Sequence, residues 1–491
     1  MTISSRGIVG LLAGAAAGLF AYRKSRSSDL NRRALNLTSR FQRNRSVAQM
    51  TARLGAESAV HQARRAVTPK ARREELDAEF QARTAQHIAD ELGEMKGALM
   101  KLGQMASYLD DGLPEPVRLA LGQLQQDAPP MDTELARWAI ERDLGYDLDS
   151  LFSSFSPEPI AAASIGQVHR ATTHDGREVV VKVQYPGIDE AIAADLDNTD
   201  LLGRIMAMIF PGLDPGPLAE ELKLRITEEL DYVLEADNQR LFASFYRDHP
   251  FIHVPEVCDD LSSGRVLTTE FAEGVRFSEI ESWSQSEKNL AAETIFRFVF
   301  RSLYRLRAFN ADPHPGNYLF RPGGQVTFLD FGLVRRFGQD ETDFFGHLIQ
   351  TVLSGRMAEF RAALEEGQLL RPDAPFSDEE IHDWFLHFYE IVRHDGPTTL
   401  NAEYASETLR RTFDHKSNEI LKYANVPPSF ALTQRINLGL YALLAHLDAT
   451  ANWRRIAGEL WPWVNGEPST PMGVEEATWL AGTPRGAGED T

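Results

Sequence analysis

A single cysteine, Cys258, stands in a chain of 491 residues, so no disulfide can form within it and its thiol content gives no sign of an oxidising compartment. No group of Cys and His has metal-ligand spacing, which excludes zinc fingers and ribbons. No internal repeat of roughly 20 to 50 residues is evident, which excludes solenoids and propellers. Positive charge is scarce away from the N-terminus. Residues 1–73 carry fifteen Lys and Arg against Asp29 and Glu57, a charge of +13, and the remainder of a chain of net charge −20 therefore carries −33. Such an acidic body excludes nucleic acid as the main partner, because a phosphate backbone needs a positive surface. The basic leader suits an anionic membrane surface instead.

What is present begins with that leader. Residues Gly7 to Tyr22 form sixteen uncharged positions between Arg6 and Arg23-Lys24-Ser25-Arg26. A spanning helix wants roughly 20 apolar residues, and this run is rich in Gly and Ala. It reads as an uncleaved membrane-associating segment, with a cleaved leader or a disordered or soluble helical tail as alternatives. The excess of positive charge after the run places the body on the cytoplasmic side of a membrane, the alternative being a cytoplasmic protein without an anchor. A chain this long implies two or three domains, or one two-lobed domain with extensions. Its hydrophobic content of 43% and charged content of 25% are those of a folded protein. Cys258, with no motif around it, reads as a half-buried structural residue.

From Asn31 to Ser107 there is almost no strand signal. Leu92, Met95, Leu99, Leu102 and Ala106 recur at three- and four-residue steps, the seam of an amphipathic helix. That helix carries Lys101-Leu102-Gly103-Gln104. Gly103 inside a helix costs about 1 kcal/mol relative to Ala, so it needs a reason, the plainest being a close helix crossing.

The second informative region is Asp312-Pro313-His314-Pro315-Gly316-Asn317, followed thirteen residues after Asn317 by Asp330-Phe331-Gly332 at the end of an apolar strand. An Asp, an Asn five positions on, and a second Asp match the spacing with which protein kinases align a nucleophile and hold magnesium on ATP. His314, rigid between two prolines, reads as a local structural residue. Upstream, the small-residue loop Ala161-Ala162-Ala163-Ser164 is followed by a strand, an Asp175-Gly176 turn and the strand Val179–Val183 with Lys182 embedded in it. Lys182 would contact the α- and β-phosphates, and on a valine strand it calls for a carboxylate partner. A helix from Glu220 to Asn238 offers Glu229, Asp231 and Glu235. Asp231 and Glu235 are one turn apart and face the same way, with Glu229 rotated away. The strand entering Glu270-Phe271-Ala272-Glu273-Gly274 reads as a hinge beside an adenine, with Glu270 and Ala272 offering backbone groups. Further helices are expected over Ser286–Phe309, Phe344–Leu353, Met357–Glu366, Asp378–Arg393 and Ala431–Leu447. From Glu467 onward, Pro, Gly, Ser and acids predict a disordered tail.

In wording and order, Lys101 to Gln104, Ala161 to Ser164, Lys182, the acidic helix, Asp312 to Asn317 and Asp330 to Gly332 resemble the UbiB-type (aarF-domain, ADCK-like) atypical kinase family, which is associated with coenzyme Q biosynthesis. The resemblance covers roughly Glu91 to Phe337. It implies an α+β, protein-kinase-like two-lobed fold with an N-terminal helical extension lying over the active site and a mostly helical C-lobe. The expected segments are a leader over 1–30, the extension over 31–130, an N-lobe over 131–273, a C-lobe over 274–466 and a tail over 467–491. By resemblance, Lys101, Gly103 and Gln104 belong to a lid that meets Glu229 and Asp231. Glu235 pairs with Lys182, Asp312 is catalytic, and Asn317 and Asp330 hold magnesium. Ala311 stands where ordinary protein kinases have an Arg before the catalytic Asp, so control through an activation-loop phosphate is not expected. The implied cofactors are ATP and Mg2+. The implied partners are a membrane surface or an isoprenoid or quinone-like lipid, with no nucleic acid, in a homodimer or a biosynthetic complex. A conventional protein kinase and a nucleotide-sensing pseudokinase scaffold without turnover are the alternatives. Deleting residues 1–28 is expected to move the protein from the membrane pellet to the soluble fraction on centrifugation; retention in the pellet would put the anchor elsewhere.

Overall fold

The computed structural model describes residues 64, 65, 69, 72, 131–162, 165–196, 227–312, 314–404, 419–424 and 439–482. The leader run 7–22, Lys101, Gly103 and Gln104, and Ala163 and Ser164 of the small-residue loop lie outside them. In chain order the main elements are α1 (Thr133–Leu144), β1 (Ser154–Phe155), β2 (Ala161–Ala162), β3 (Gly166–Thr172), β4 (Glu178–Gln184), α2 (Ile188–Leu196), α3 (Tyr232–Phe245), β5 (Ile252–His253), β6 (Val266–Glu270) and α4 (Gln285–Arg301). There follow β7 (Ala308–Asn310), β8 (Tyr318–Arg321), β9 (Gln325–Phe328), β10 (Val334–Arg336), α5 (Gln339–Leu353), α6 (Met357–Glu366), α7 (Asp378–Leu386), α8 (Trp453–Leu460) and α9 (Pro471–Gly482). Mixed helices and small sheets make the chain α+β, as expected. Among the described residues no helix is long and apolar enough to cross a membrane.

The chain divides into two units. One holds the described residues up to Val233 together with Cys258–Phe271, and the other holds Leu234–Val257 and the described residues from Ala272 onward. The division differs from a single cut after residue 273, because α3 passes from one unit to the other.

In the first unit an antiparallel sheet runs β1-β3-β4-β6, with β2 also on β3. Its hairpin turns at Asp175-Gly176, where Gly176 takes φ +88, a conformation open to glycine without a Cβ clash. Val179, Val181 and Val183 alternate onto the buried face. Helix α1 packs on β4 and β6 through Leu135, Ala136, Ala139 and Ile140. Asp132 caps its start by accepting the Glu134 N–H, and Gly145 at φ +80 ends it. Buried Gln167 and His169 lock the other end of the sheet. Gln167 Oε1 accepts the Met131 N–H at 2.9 Å, its Nε2 donates to His169 Nε2 at 2.7 Å, and His169 Nδ1 donates to the Ser156 carbonyl at 2.9 Å. Both ring nitrogens are thus used by a neutral imidazole, and burial pushes its pKa below the ordinary value.

The second unit is organised on α4. Of the apolar face expected from the periodicity, Ile295, Phe296 and Val299, with Leu303 in the turn that follows, are buried, and Phe300 and Leu306 are partly buried. Phe298 stacks on Phe328 of β9 with ring centres 3.6 Å apart. The helix is shorter than expected. It ends in a π-turn over Ser302–Leu306, and Arg307 at φ +53 redirects the chain into β7. β8 and β9 form a hairpin, β5 lies parallel to β9, and β10 pairs with β7.

Two further expectations are corrected. The acidic helix is not continuous over Glu220–Asn238. Helical residues 227–229 stop at Leu230, Asp231 accepts the Val233 N–H at 3.0 Å, and α3 starts at Tyr232. An Asp at a helix start satisfies an orphan N–H better than it serves mid-helix, so Asp231 is an exposed cap while Glu235 is buried on α3. The tail from Glu467 is not structureless either: Pro471–Gly482 is helix α9. Its Glu476 is buried with Arg297 and Arg301, at Nη1···Oε2 2.7 Å and Nε···Oε1 2.5 Å. Arg297 also meets Glu293 and Glu459, each at 2.8 Å. Removing one partner from a buried network of this kind costs about 3–5 kcal/mol, which outweighs a compositional bias to disorder. Residues 483–491 lie outside the described residues.

A Cβ on Gly166 would stand 2.3 Å from the Val183 carbonyl oxygen. Gly166→Ala is therefore expected to destabilise the first unit by about 1–3 kcal/mol in denaturant unfolding. For His169 the lowered pKa means that the unfolded chain takes up the proton first as pH falls. Its contribution is complete above the ordinary histidine value and declines as pH falls below it. His169→Gln should show a smaller loss of melting temperature between pH 7 and pH 5 than the parent protein, in about the range where an unperturbed imidazole titrates.

Candidate functional site

Each unit carries its own set of the expected residues. In the first, Lys182 lies on the central strand β4, opposite Val168 of β3 and Leu267 of β6. It is half-buried, and its Nζ stands 4.9 Å from the centre of the buried Tyr232 ring, a cation–π distance. Ala161 and Ala162 are strand residues, paired with Val168 and Gln167. Glu229 is partly buried just before the cap at Asp231. Glu270 ends β6 opposite Val179, and Phe271 donates its N–H to the Glu178 carbonyl at 3.0 Å. Ala272 opens the second segment of the second unit.

In the second unit, sequence and packing bring the two acidic loops together. β7 precedes Asp312 and β10 follows Asp330-Phe331-Gly332, so the β7–β10 pairing draws both loops to one sheet end. Ala311, buried, donates its N–H to the Leu333 carbonyl at 2.8 Å and extends that pairing. Asn310 then joins the two loops directly. Its Nδ2 donates to the Asp330 carbonyl at 2.6 Å, and its Oδ1 accepts the Asp312 N–H at 3.2 Å.

Asn317 ends a short 3-10 turn whose start is capped by His314. The Nδ1 of His314 accepts the Gly316 N–H at 3.0 Å, which gives this histidine the local structural role expected of it. Asn317 Nδ2 donates to Asp312 Oδ2 at 2.9 Å and to the Asp312 carbonyl at 3.2 Å. Its amide oxygen is left without a hydrogen bond among the described residues. Asp330 Oδ1 accepts the Gly332 N–H at 2.9 Å, the turn that follows a strand-ending Asp. A Cβ on Gly332 would lie 3.3 Å from Asp330 Oδ1 and 3.7 Å from Glu235 Oε2, so the buried Glu235 carboxylate faces the Asp330 turn. Tyr318, buried next to Asn317, has its phenol pushed well above the ordinary value, first by burial and then by the Asp312 carboxylate.

Asn238 and Asn310 are residues that motif reading did not single out. Asn238, buried on α3, donates from Nδ2 to the Phe331 carbonyl at 3.2 Å, and Phe242 one turn on packs its ring 4.9 Å from that of Phe331. Asn310 had a local signal, a polar side chain at the end of an apolar stretch two residues before Asp312. Asn238 had none, because its partner is 93 residues away.

Among the described residues no three His, Cys, Asp or Glu side chains converge as a closed metal cage. The donors on offer, Asp312, Asn317 and Asp330, are hard oxygens. They suit magnesium, which keeps water or phosphate oxygens for most of its coordination and binds through one or two protein groups.

A family model described as the ABC1 atypical kinase-like domain matches residues 123–362. The chain is 32% identical over 332 residues to the rat protein named atypical kinase COQ8B, mitochondrial, covering 67% of this chain and 62% of that protein. It is 38% identical over 359 residues to the Arabidopsis thaliana chloroplastic protein named activity of bc1 complex kinase 3, covering 71% of this chain and 49% of that protein. The chain therefore spans about half to three-fifths of these curated relatives' own length. Among solved structures it is similar to Mycobacterium tuberculosis Rv3197, whose structure is of a complex with erythromycin. The TM-score is 0.59 at 32% identity, covering 80% of this chain and 99% of that one.

Asn310→Ala removes the bridge between the two loops and leaves a carbonyl and an N–H short of a partner. A loss of about 1–3 kcal/mol in denaturant unfolding is expected; an unchanged midpoint would show that water replaces the side chain.

Proposed function

This chain belongs to the ABC1 atypical kinase-like family, and from that premise we propose that it binds Mg-ATP and transfers or hydrolyses the terminal phosphoryl group in support of quinone or isoprenoid-lipid metabolism at a membrane. The observation that carries the reading is the orientation of Asn317. Its amide nitrogen is spent on Asp312, so its oxygen is the atom left to face a cation.

In this reading Asn317 Oδ1 and the Asp330 carboxylate hold magnesium. Bound magnesium supplies positive charge to the phosphate oxygens. Asp312, steadied by Asn317 and Asn310, orients the attacking hydroxyl or water and accepts its proton. Lys182, its Nζ 4.9 Å from the centre of the Tyr232 ring, grips the α- and β-phosphates. Glu235 is proposed as the carboxylate that completes the charge balance of Lys182, which a double-mutant cycle on the two residues tests. Backbone groups at Glu270 and Ala272 read the adenine, and the stretch Ala161 to Ser164, which begins as strand β2, covers the phosphates with Cβ-bearing residues in place of glycines. The lid residues Lys101, Gly103 and Gln104, with Glu229 and Asp231, restrict access by protein substrates. The relatives' names support a kinase class and mitochondrial or chloroplast settings for those proteins. The acceptor, the lipid and the membrane belong to the proposal.

Purified protein is expected to hydrolyse ATP only with a divalent cation, and liposomes should raise the rate. Asp330→Asn and Asp312→Asn should each lower turnover on the order of 100-fold or more. Turnover unchanged by Asp330→Asn would sink the assignment. Phosphorylation of added proteins faster than hydrolysis would favour a conventional protein kinase. ATP-induced stabilisation with no turnover would favour a sensing scaffold.

A further inference from the structure

The three segments that carry Asp312, Asn317 and Asp330 converge on one element that the motifs do not include. Helix α9 is held at its first turn by Thr470, whose hydroxyl donates to Glu293 Oε1 at 2.5 Å and accepts both the Gly473 N–H at 3.0 Å and Arg297 Nη2 at 3.0 Å. One turn on, Glu476 bonds Arg297 and Arg301 of α4. From there α4 runs through the π-turn and the left-handed Arg307 into β7 and Asp312. The same carboxylate lies 3.5 Å from His249, and Trp479 donates its indole N–H to the Arg247 carbonyl at 3.0 Å. These residues lead into β5, which pairs with β9 ahead of Asp330. The methyl of Met472 abuts Gly324, where an added Cβ would meet it at 3.0 Å. Gly324 is in the turn of the β8–β9 hairpin, whose open end carries Asn317 and Asp330.

The bonds from Glu476 to Arg297, Arg301 and His249 are buried, those of Thr470 are partly buried, and Gly473 leaves no slack. A Cβ there would stand 2.4 Å from Glu459 Oε2 and 2.9 Å from Arg297 Nη2. A helix serving only to cover apolar surface would not need a fully buried carboxylate shared by two guanidinium groups, because burying charge is unfavourable unless geometry compensates it.

We infer that α9 is a clamp for the phosphate-handling loops, and that Glu476 and Gly473 are positioning residues acting on Asp312 and Asp330 through α4, the 245–251 turn and the β8–β9 hairpin. The inference rests on the Mg-ATP reading for its kinetic arm. Displacements of about 1 Å at reacting groups cost on the order of 100-fold in rate even when the change lies far from the chemistry.

The test uses the full chain with Glu476→Gln, Gly473→Ala and the exposed control Glu475→Gln. Turnover and KM for ATP are measured beside amide hydrogen exchange. The two buried variants should lose turnover by about tenfold to 100-fold with KM within about twofold. Exchange should quicken over 308–320 and 325–332 but not over 166–184 in the first unit, and Glu475→Gln should match the parent. Unchanged exchange at both loops, or equal quickening in both units, overturns the clamp. Should Glu476→Gln fail to fold, Gly473→Ala leaves every charge in place and carries the same test. If the parent hydrolyses no ATP, the Mg-ATP reading fails, and the exchange pattern still decides for or against the clamp.

Discussion

Asn310 makes the hydrogen bonds on which the candidate site depends. Two loops separated by a hairpin can present an Asp each, but nothing in a hairpin keeps their backbones in step. A side chain that donates to the Asp330 carbonyl and accepts the Asp312 N–H keeps them in step with one bond to each loop. The β7–β10 ladder brings the strands alongside, Ala311 continues the ladder by one residue, and Asn310 closes it. Asn317 then fixes the Asp312 carboxylate from the other side. The chemistry proposed for this protein requires oxygens held in place before a cation arrives, and this chain of amides supplies it with little net charge of its own.

Much of this was legible in the chain. The spacing of Asp312, Asn317 and Asp330 and the valine strand around Lys182 are local patterns, and local patterns survive folding. The core face of α4 followed its period because burial of Ile295, Phe296 and Val299 decides that helix. Illegible parts share a cause: each depends on a partner distant in sequence. Glu476 looked like one more acid in a polar tail, and only Arg297 and Arg301, about 175 residues earlier, turn it into a buried anchor. The break at Asp231 went unseen for a subtler reason. Acids are tolerated in helices, but an Asp placed to accept the second N–H of a new helix competes with continuing the old one, and periodicity carries no record of that contest.

The residues around the site also separate two roles that motif reading merges. Lys182 and Tyr232 make a cation–π pair, an interaction that tolerates small movements of the ammonium. Glu235 is buried against the Asp330 turn, where Gly332 leaves space for it. One residue lies against a ring face and the other against a backbone turn, each within its own unit.

The charge cluster beneath α9 has a thermal consequence. The cost of stripping water from ions falls as temperature rises, while exposed pairs such as Arg371 with Asp373 are weakened by salt and by motion. A network as enclosed as Arg297 with Glu293, Glu459 and Glu476 is shielded from salt, and warming lessens its largest opposing term. Helix α9 should then be held through the warm and salty conditions that loosen the surface first, and within its unit it would be among the last elements to let go.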